Sequence, residues 1–126
     1  MFLGRVTNWT SVVGTDIPFL TELNTNTKTR NASGVVSILE RGLWNIDASI
    51  EVTGVAGDIE IQLLADGVVR DTRSTSLTDA TDFGVVSFDD AIRVIFAQYP
   101  DTATISMRVD TAGVVVNGKL RIENVR

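Results

Sequence analysis

The chain has no histidine and no cysteine. These side chains carry most of the nucleophilic, redox and soft-metal chemistry available near neutral pH. Their absence excludes Ser-His and Cys-His nucleophiles, His/Cys zinc sites, haem and iron-sulfur ligation, redox dithiols and disulfides. Proline occurs twice in 126 residues, and lysine twice against nine arginines. No apolar run approaches the roughly 18 residues a membrane-crossing helix requires, so no membrane partner is expected. Met1 to Thr15 mixes Arg5, Asn8 and Trp9 with small polar residues and lacks the apolar core of a signal peptide, so the chain is expected to be made in the cytoplasm without a leader. The net charge of -5, with arginines scattered among sixteen acids, argues against nucleic acid.

What the chain has in quantity is β-branched side chains. Its 17 valines, 10 isoleucines and 15 threonines make up one third of all positions, and 44% of residues are hydrophobic. Such residues favour a pleated backbone with a packed face. In Gly42 to Thr53, GLWNIDASIEVT, Trp44, Ile46, Ala48, Ile50 and Val52 alternate with polar residues. That period of two predicts a strand with one buried and one wet face, hence an antiparallel sheet. Asp58 to Ala65 alternates likewise before Asp66-Gly67, the dipeptide of a two-residue hairpin, and Val68 to Thr72 is the returning strand.

Arg73 to Asp82 reads as a surface loop, and Phe83 to Phe88 and Ala91 to Ala97 as two strands around Asp89-Asp90. Ala103 to Val109 and Val114 to Val125 close the chain. Asn117-Gly118 within the last segment fits either a hairpin turn or a bulge in one through-running strand. Upstream, Asp16 to Leu20 and Val35 to Leu39 are shorter candidates. The total of eight to ten short strands, without a helical segment long enough to cross between parallel strands, specifies an all-β fold: an antiparallel β-sandwich or jelly roll. Met1 to Thr15 is expected to be an N-terminal arm or attachment segment outside a single domain of residues 16–126.

Candidate chemistry is sparse. The carboxylate pairs close in sequence are Asp89-Asp90, Asp79/Asp82 and Asp58/Glu60, and turn capping or solvation accounts for each as well as acid-base catalysis does. The loops holding Asp79, Asp82 and Asp89 offer oxygen ligands but not the spaced pattern of a calcium loop. No catalytic residue, metal or cofactor is expected. Trp44, Phe88 and Phe96 fall on apolar phases and read as core. Trp9, in a polar stretch, is the candidate for docking against another chain.

Gly14-Thr15-Asp16-Ile17-Pro18-Phe19, Gly34-Val35-Val36, Gly42 to Ser49, Gly57 to Val68 and the closing Val115 to Val125 (VVNGKLRIENV) come in an order that resembles a group of small tailed-phage virion proteins. These carry the jelly roll of tumour-necrosis-factor and complement globular-head domains. The resemblance implies a homotrimer on the phage particle, decorating the capsid or forming a head fibre, with itself and capsid or other virion proteins as partners. It favours the through-running strand at Asn117-Gly118. Leu64, Phe88, Val94, Phe96 and Leu120 would lie nearest a threefold axis or in the core beneath it. The alternative is a receptor- or carbohydrate-binding fibre tip that contacts a host-surface glycan through Arg73, Asp79, Asp82, Tyr99 and Asp101 at one end of the sandwich.

Overall fold

The computed structural model describes residues 1–95 and 103–125 of the chain. Ten strands follow in order: β1 (Phe2–Thr10), β2 (Leu20–Asn24), β3 (Thr29–Ala32), β4 (Val35–Ile38), β5 (Gly42–Thr53), β6 (Gly57–Ala65), β7 (Val68–Leu77), β8 (Gly84–Val94), β9 (Ala103–Val109) and β10 (Val115–Val125). They form two five-stranded antiparallel sheets, ordered β2-β1-β10-β5-β8 and β3-β4-β9-β6-β7. The inward phases of both close on one core that includes Phe2, Phe19, Trp44, Ile46, Ile50, Ile61, Leu63, Met107 and Ile122, all fully buried. The indole N–H of Trp44 donates to the Glu40 carbonyl at 3.1 Å, which satisfies its one polar atom.

The strands at Gly42–Thr53, Ala103–Val109 and Val115–Val125 lie where alternation places them. Asp66 and Gly67 both adopt positive φ, 53° and 77°, as the two-residue hairpin between β6 and β7 requires. β10 runs straight through Asn117-Gly118, in unbroken register with β5 from Val115↔Thr53 to Val125↔Leu43. The bulge expected near Gly118 lies instead on the facing strand: β1 gains one residue between Val6 and Trp9. Asn8 has φ 48° there, and its N–H donates to the Asn117 side-chain oxygen at 2.9 Å. Gly118 faces inward, and a Cβ on it would stand 2.8 Å from both the Ile50 Cδ1 and the Ser49 carbonyl. The absent side chain is the space that Ile50 fills.

Four expectations are corrected. Met1 to Thr15 is not an arm outside the core, because β1 pairs with both β2 and β10 and buries Phe2 and Val6. Just beyond it, the Ser11 hydroxyl accepts from the Val114 N–H at 3.0 Å and donates to the Thr111 carbonyl, tying the end of β1 to the β9–β10 turn. Asp89-Asp90 is not a turn: β8 passes through it, since the inward phase of Val86 and Phe88 resumes at Ile92 and Val94. Arg73 to Leu77 belongs to β7 and pairs with β6, because its alternating hydroxyl residues form the wet face of an edge strand. Asp16 to Phe19 is not a regular strand but an irregular segment with a single bridge to Arg108, although Ile17 and Phe19 are fully buried.

The edges of the sandwich are tied. β7 carries one extra residue where Leu63 pairs with Asp71 and Leu64 with Val69, which frees Arg70 from the ladder. Its Nε reaches Asp90 at 2.6 Å and its Nη2 donates to the Ala91 carbonyl at 2.8 Å, so an edge strand of each sheet is clasped to the other. On the opposite side Asn31 Nδ2 donates to the Phe19 carbonyl at 2.8 Å.

Two outcomes follow for stability. Gly118→Ala should destabilise the fold by about 1–3 kcal/mol through overpacking, read as a lower urea midpoint at unchanged slope. Removal of Met1 to Thr10 should abolish cooperative unfolding; a truncated chain that still unfolds in one sharp transition would show β1 to be dispensable.

Candidate functional site

Leu64, Phe88, Val94 and Leu120 are at most 4% exposed. All four are buried within a single subunit. Phe88, Val94 and Leu120 belong to the central core, whereas Leu64 points to the outward side of its sheet, opposite Ser106 and Val69. Phe96, Tyr99 and Asp101 lie outside the described residues. Trp9 packs against the core and is partly buried, because the bulge at Thr7 and Asn8 turns it into the inward phase opposite Val116.

Asp79 and Asp82 cap one turn. The Asp82 carboxylate accepts from the Asp79 N–H at 3.0 Å, and the Asp79 carboxylate accepts from the Thr81 N–H at 3.0 Å. The backbone and hydroxyl hydrogen bonds from Thr81 hold the Asp79 carboxyl below its ordinary value. Arg73, on β7, pairs with Asp71 at 3.2 Å. The strand ends that flank residues 95–102, Val94 beside Gly42 and Ala103 beside Ile38, lie at the end of the sandwich opposite Asp79 and Asp82. Of the described members of that set, Asp79 and Asp82 share the turn after β7, and Arg73 stands in the β6–β7 ladder opposite Ile61.

The carboxylates that do meet are far apart in sequence. Asp47 on β5 faces Asp89 directly across the ladder to β8, and Arg121 on β10 stands at its other side. Burial, then hydrogen bonding and Coulombic repulsion from Asp89, hold the Asp47 carboxyl above its ordinary value of 3.8, while Arg121 opposes the shift. Alternation along one strand shows that Asp47 points outward. It cannot show which residue sits across the ladder.

This row lies on the outward face of the β2-β1-β10-β5-β8 sheet. A shallow groove of about 400 Å³ crosses the same face, lined by Arg5, Thr7, Ser49, Glu51, Val85, Asn117 and Lys119 among others. It continues toward β2 into a depression of about 320 Å³ that reaches Leu20 and Glu22. Apolar side chains stand exposed at both margins: Leu20 (72%) and Leu23 (44%) on β2, Phe83 (67%) and Val85 (62%) at the start of β8. Sequence reasoning passed over these residues, although Val85 carries a signal, since it is an apolar residue in the wet phase of its strand. Among the described residues, no group of three or more Asp and Glu side chains is placed to hold a metal ion.

No protein-family model matches the chain, and no curated protein matches its sequence. Solved structures do match its fold. The globular domain of zebrafish complement 1qA protein superposes with a TM-score of 0.78 at 8% identity, over 99% of this chain and 96% of that one. The fold is a jelly roll of that kind. Murine APRIL at pH 5.0 gives a TM-score of 0.71 at 8% identity, over 95% of this chain and 98% of the other. The vertex protein P5 of PRD1 gives 0.61 at 14% identity, over 94% and 93%. Each jelly roll is matched along nearly its whole length, so the ten strands account for the complete neighbouring domains. Identities this low show the fold and carry the comparison no further.

The Asp47 carboxyl gives a pH dependence whose sign is fixed. Its folded-state value is raised, so the folded chain holds the proton more tightly than the unfolded one, and stability falls as pH rises through the interval between the two values. Asp47→Asn should therefore stabilise the subunit at pH 7 by a few tenths of a kcal/mol, the scale of exposed charge pairs. The gain should vanish below the ordinary carboxylate value, as paired urea titrations at pH 7 and pH ~3 would show. A gain that persisted in acid would assign the effect to packing rather than charge.

Proposed function

We propose that the chain is a non-enzymatic structural protein of a phage particle, a homotrimeric jelly roll that decorates the capsid or forms a head fibre. The observation that carries this reading is the likeness to the PRD1 vertex protein P5 over 94% of this chain and 93% of that one. The ordered run of glycines and alternating apolar positions from Gly14 to the C-terminus supports it from the sequence side. Physical support comes from the exposed Leu20, Leu23, Phe83 and Val85, an apolar load at both margins of one sheet that symmetric association would cover. Attachment through a free arm at Met1 to Thr15 is not part of the reading, because β1 is built into the sheet.

A second reading, a ligand-binding tip module, has one observation in its favour. Phe2 and Ile122 pair near one end of the sandwich, and the turns at 11–15, 54–56, 78–83 and 110–114 lie at the other, where Val12 and Val13 are more than half exposed. Those turns point away from the chain ends.

Light scattering on the full chain at micromolar concentration should return three times the subunit mass; a monodisperse monomer overturns the trimer. Quantitative mass spectrometry of purified particles should find the chain in fixed ratio to the major capsid protein, many copies for decoration and few for a fibre. Its absence from particles overturns the virion role. Binding of the protein to host cells that is lost in Phe83→Asp would favour the tip reading instead.

A further inference from the structure

The outward face of the β2-β1-β10-β5-β8 sheet divides by charge. Arg5 on β1 stands opposite Lys119 on β10, and Arg121 follows two residues along the same strand. The other half carries Asp47 and Glu51 on β5 and Asp89 on β8. Each half is partly compensated. Arg5 is held by Glu22 at 2.7 Å and Arg121 by Glu123, which leaves Lys119 in excess, and Arg93 lies at the far end of β8 opposite Leu43. Among the described residues, no ion pair within 4.0 Å neutralises Asp47, Glu51 or Asp89. On the other sheet Arg108 is paired with Asp16 at 2.9 Å, and Arg73, in the inward phase of the edge strand β7, with Asp71 at 3.2 Å.

We infer that this face is the contact between copies of the chain, with the cationic half of one copy, on β1 and β10, set against the anionic half of the next, on β5 and β8. The inference rests on the self-association proposed above and adds the face, its orientation and its dependence on salt. Three observations agree. Opposite charge on the two halves gives a second copy an attractive orientation and makes a like-on-like placement repulsive. The exposed apolar residues continue the same division, Leu20 and Leu23 beyond the cationic half and Phe83 and Val85 beyond the anionic half, so docking one half on the other covers both patches. The groove between the halves, which Arg5, Lys119, Glu51 and Val85 help to line, provides relief into which a neighbour's side chains can seat. In the isolated subunit Asp47 and Asp89 face each other across the β5–β8 ladder, a like-charge contact that a neighbour's cations would relieve.

The test inverts the halves separately and then together. Arg5→Glu with Lys119→Glu reverses the cationic half, and Glu51→Lys with Asp89→Lys reverses the anionic half. Sedimentation equilibrium of the full chain in about 0.05 M salt should show association weakened about tenfold or more in each double variant and restored in the quadruple variant, with the differences shrinking in about 0.5 M salt. Thermal unfolding of each variant controls for folding, and Asp89→Lys should not destabilise the subunit because it removes the repulsion on Asp47. If the wild-type trimer forms and the charge reversals leave it unchanged, the inference fails while the trimer stands. A dimer with the same charge sensitivity supports this contact and overturns the threefold reading. A wild-type chain that stays monomeric overturns both.

Discussion

Everything in this molecule depends on a period of two. The central strands present one residue in two to a single apolar layer, and the two sheets are held together because these half-faces close on the same core, to which the edge strands β2 and β3 add no residue. A slip of one residue in any strand would expose its apolar set, so the register is specified at almost every pairing. The two principal departures are single added residues. One, at Thr7 and Asn8, turns Trp9 inward; the other, at Arg70, releases a guanidinium to clasp Asp90 on the opposite sheet. In both cases an edge or an end of the sandwich is closed by a side chain that regular pleating would have aimed elsewhere.

That same rule separates what was legible in the sequence from what was not. Gly42–Thr53 was readable to the residue because its alternation is uninterrupted and its buried members are large. Asp66-Gly67 was readable because positive φ at two successive residues limits the side chains that fit. Asp89-Asp90 was misread because adjacent acids are turn formers by local preference, and the pairing that overrides this preference comes from β5, some forty residues away in sequence. The inward phase of Trp9 was not legible because a bulge moves a residue between faces without leaving a mark in the pattern. Asp47 opposite Asp89, like the charge division of the sheet face, is a product of register between distant strands. Its members were visible as exposed residues, but their neighbourhood was not.

The outward face combines two kinds of side chain that a solitary sandwich does not require. Large apolar residues at its margins and like-charged carboxylates facing one another across a ladder both raise the free energy of the isolated subunit. They are compatible with a stable fold because the core beneath them is closed, with Trp44, Ile46, Ile50 and Ile122 fully buried behind that sheet. The core therefore sets the stability, and the face is free to carry side chains that the fold itself does not need.

The passage of β10 through Asn117-Gly118 also bears on how the protein ages. In a flexible chain an asparagine before glycine deamidates readily, because the glycine nitrogen can swing onto the side-chain carbonyl and close a succinimide ring. Here that glycine is paired on both sides, with Val6 and with Ile50, and the Asn117 side-chain oxygen is held by the Asn8 N–H at 2.9 Å. The geometry that ring closure needs is reached only if the central strand opens. A dipeptide that would shorten the chemical lifetime of a loop is thereby made durable, and the bulge on the neighbouring strand supplies the hydrogen bond that keeps it so.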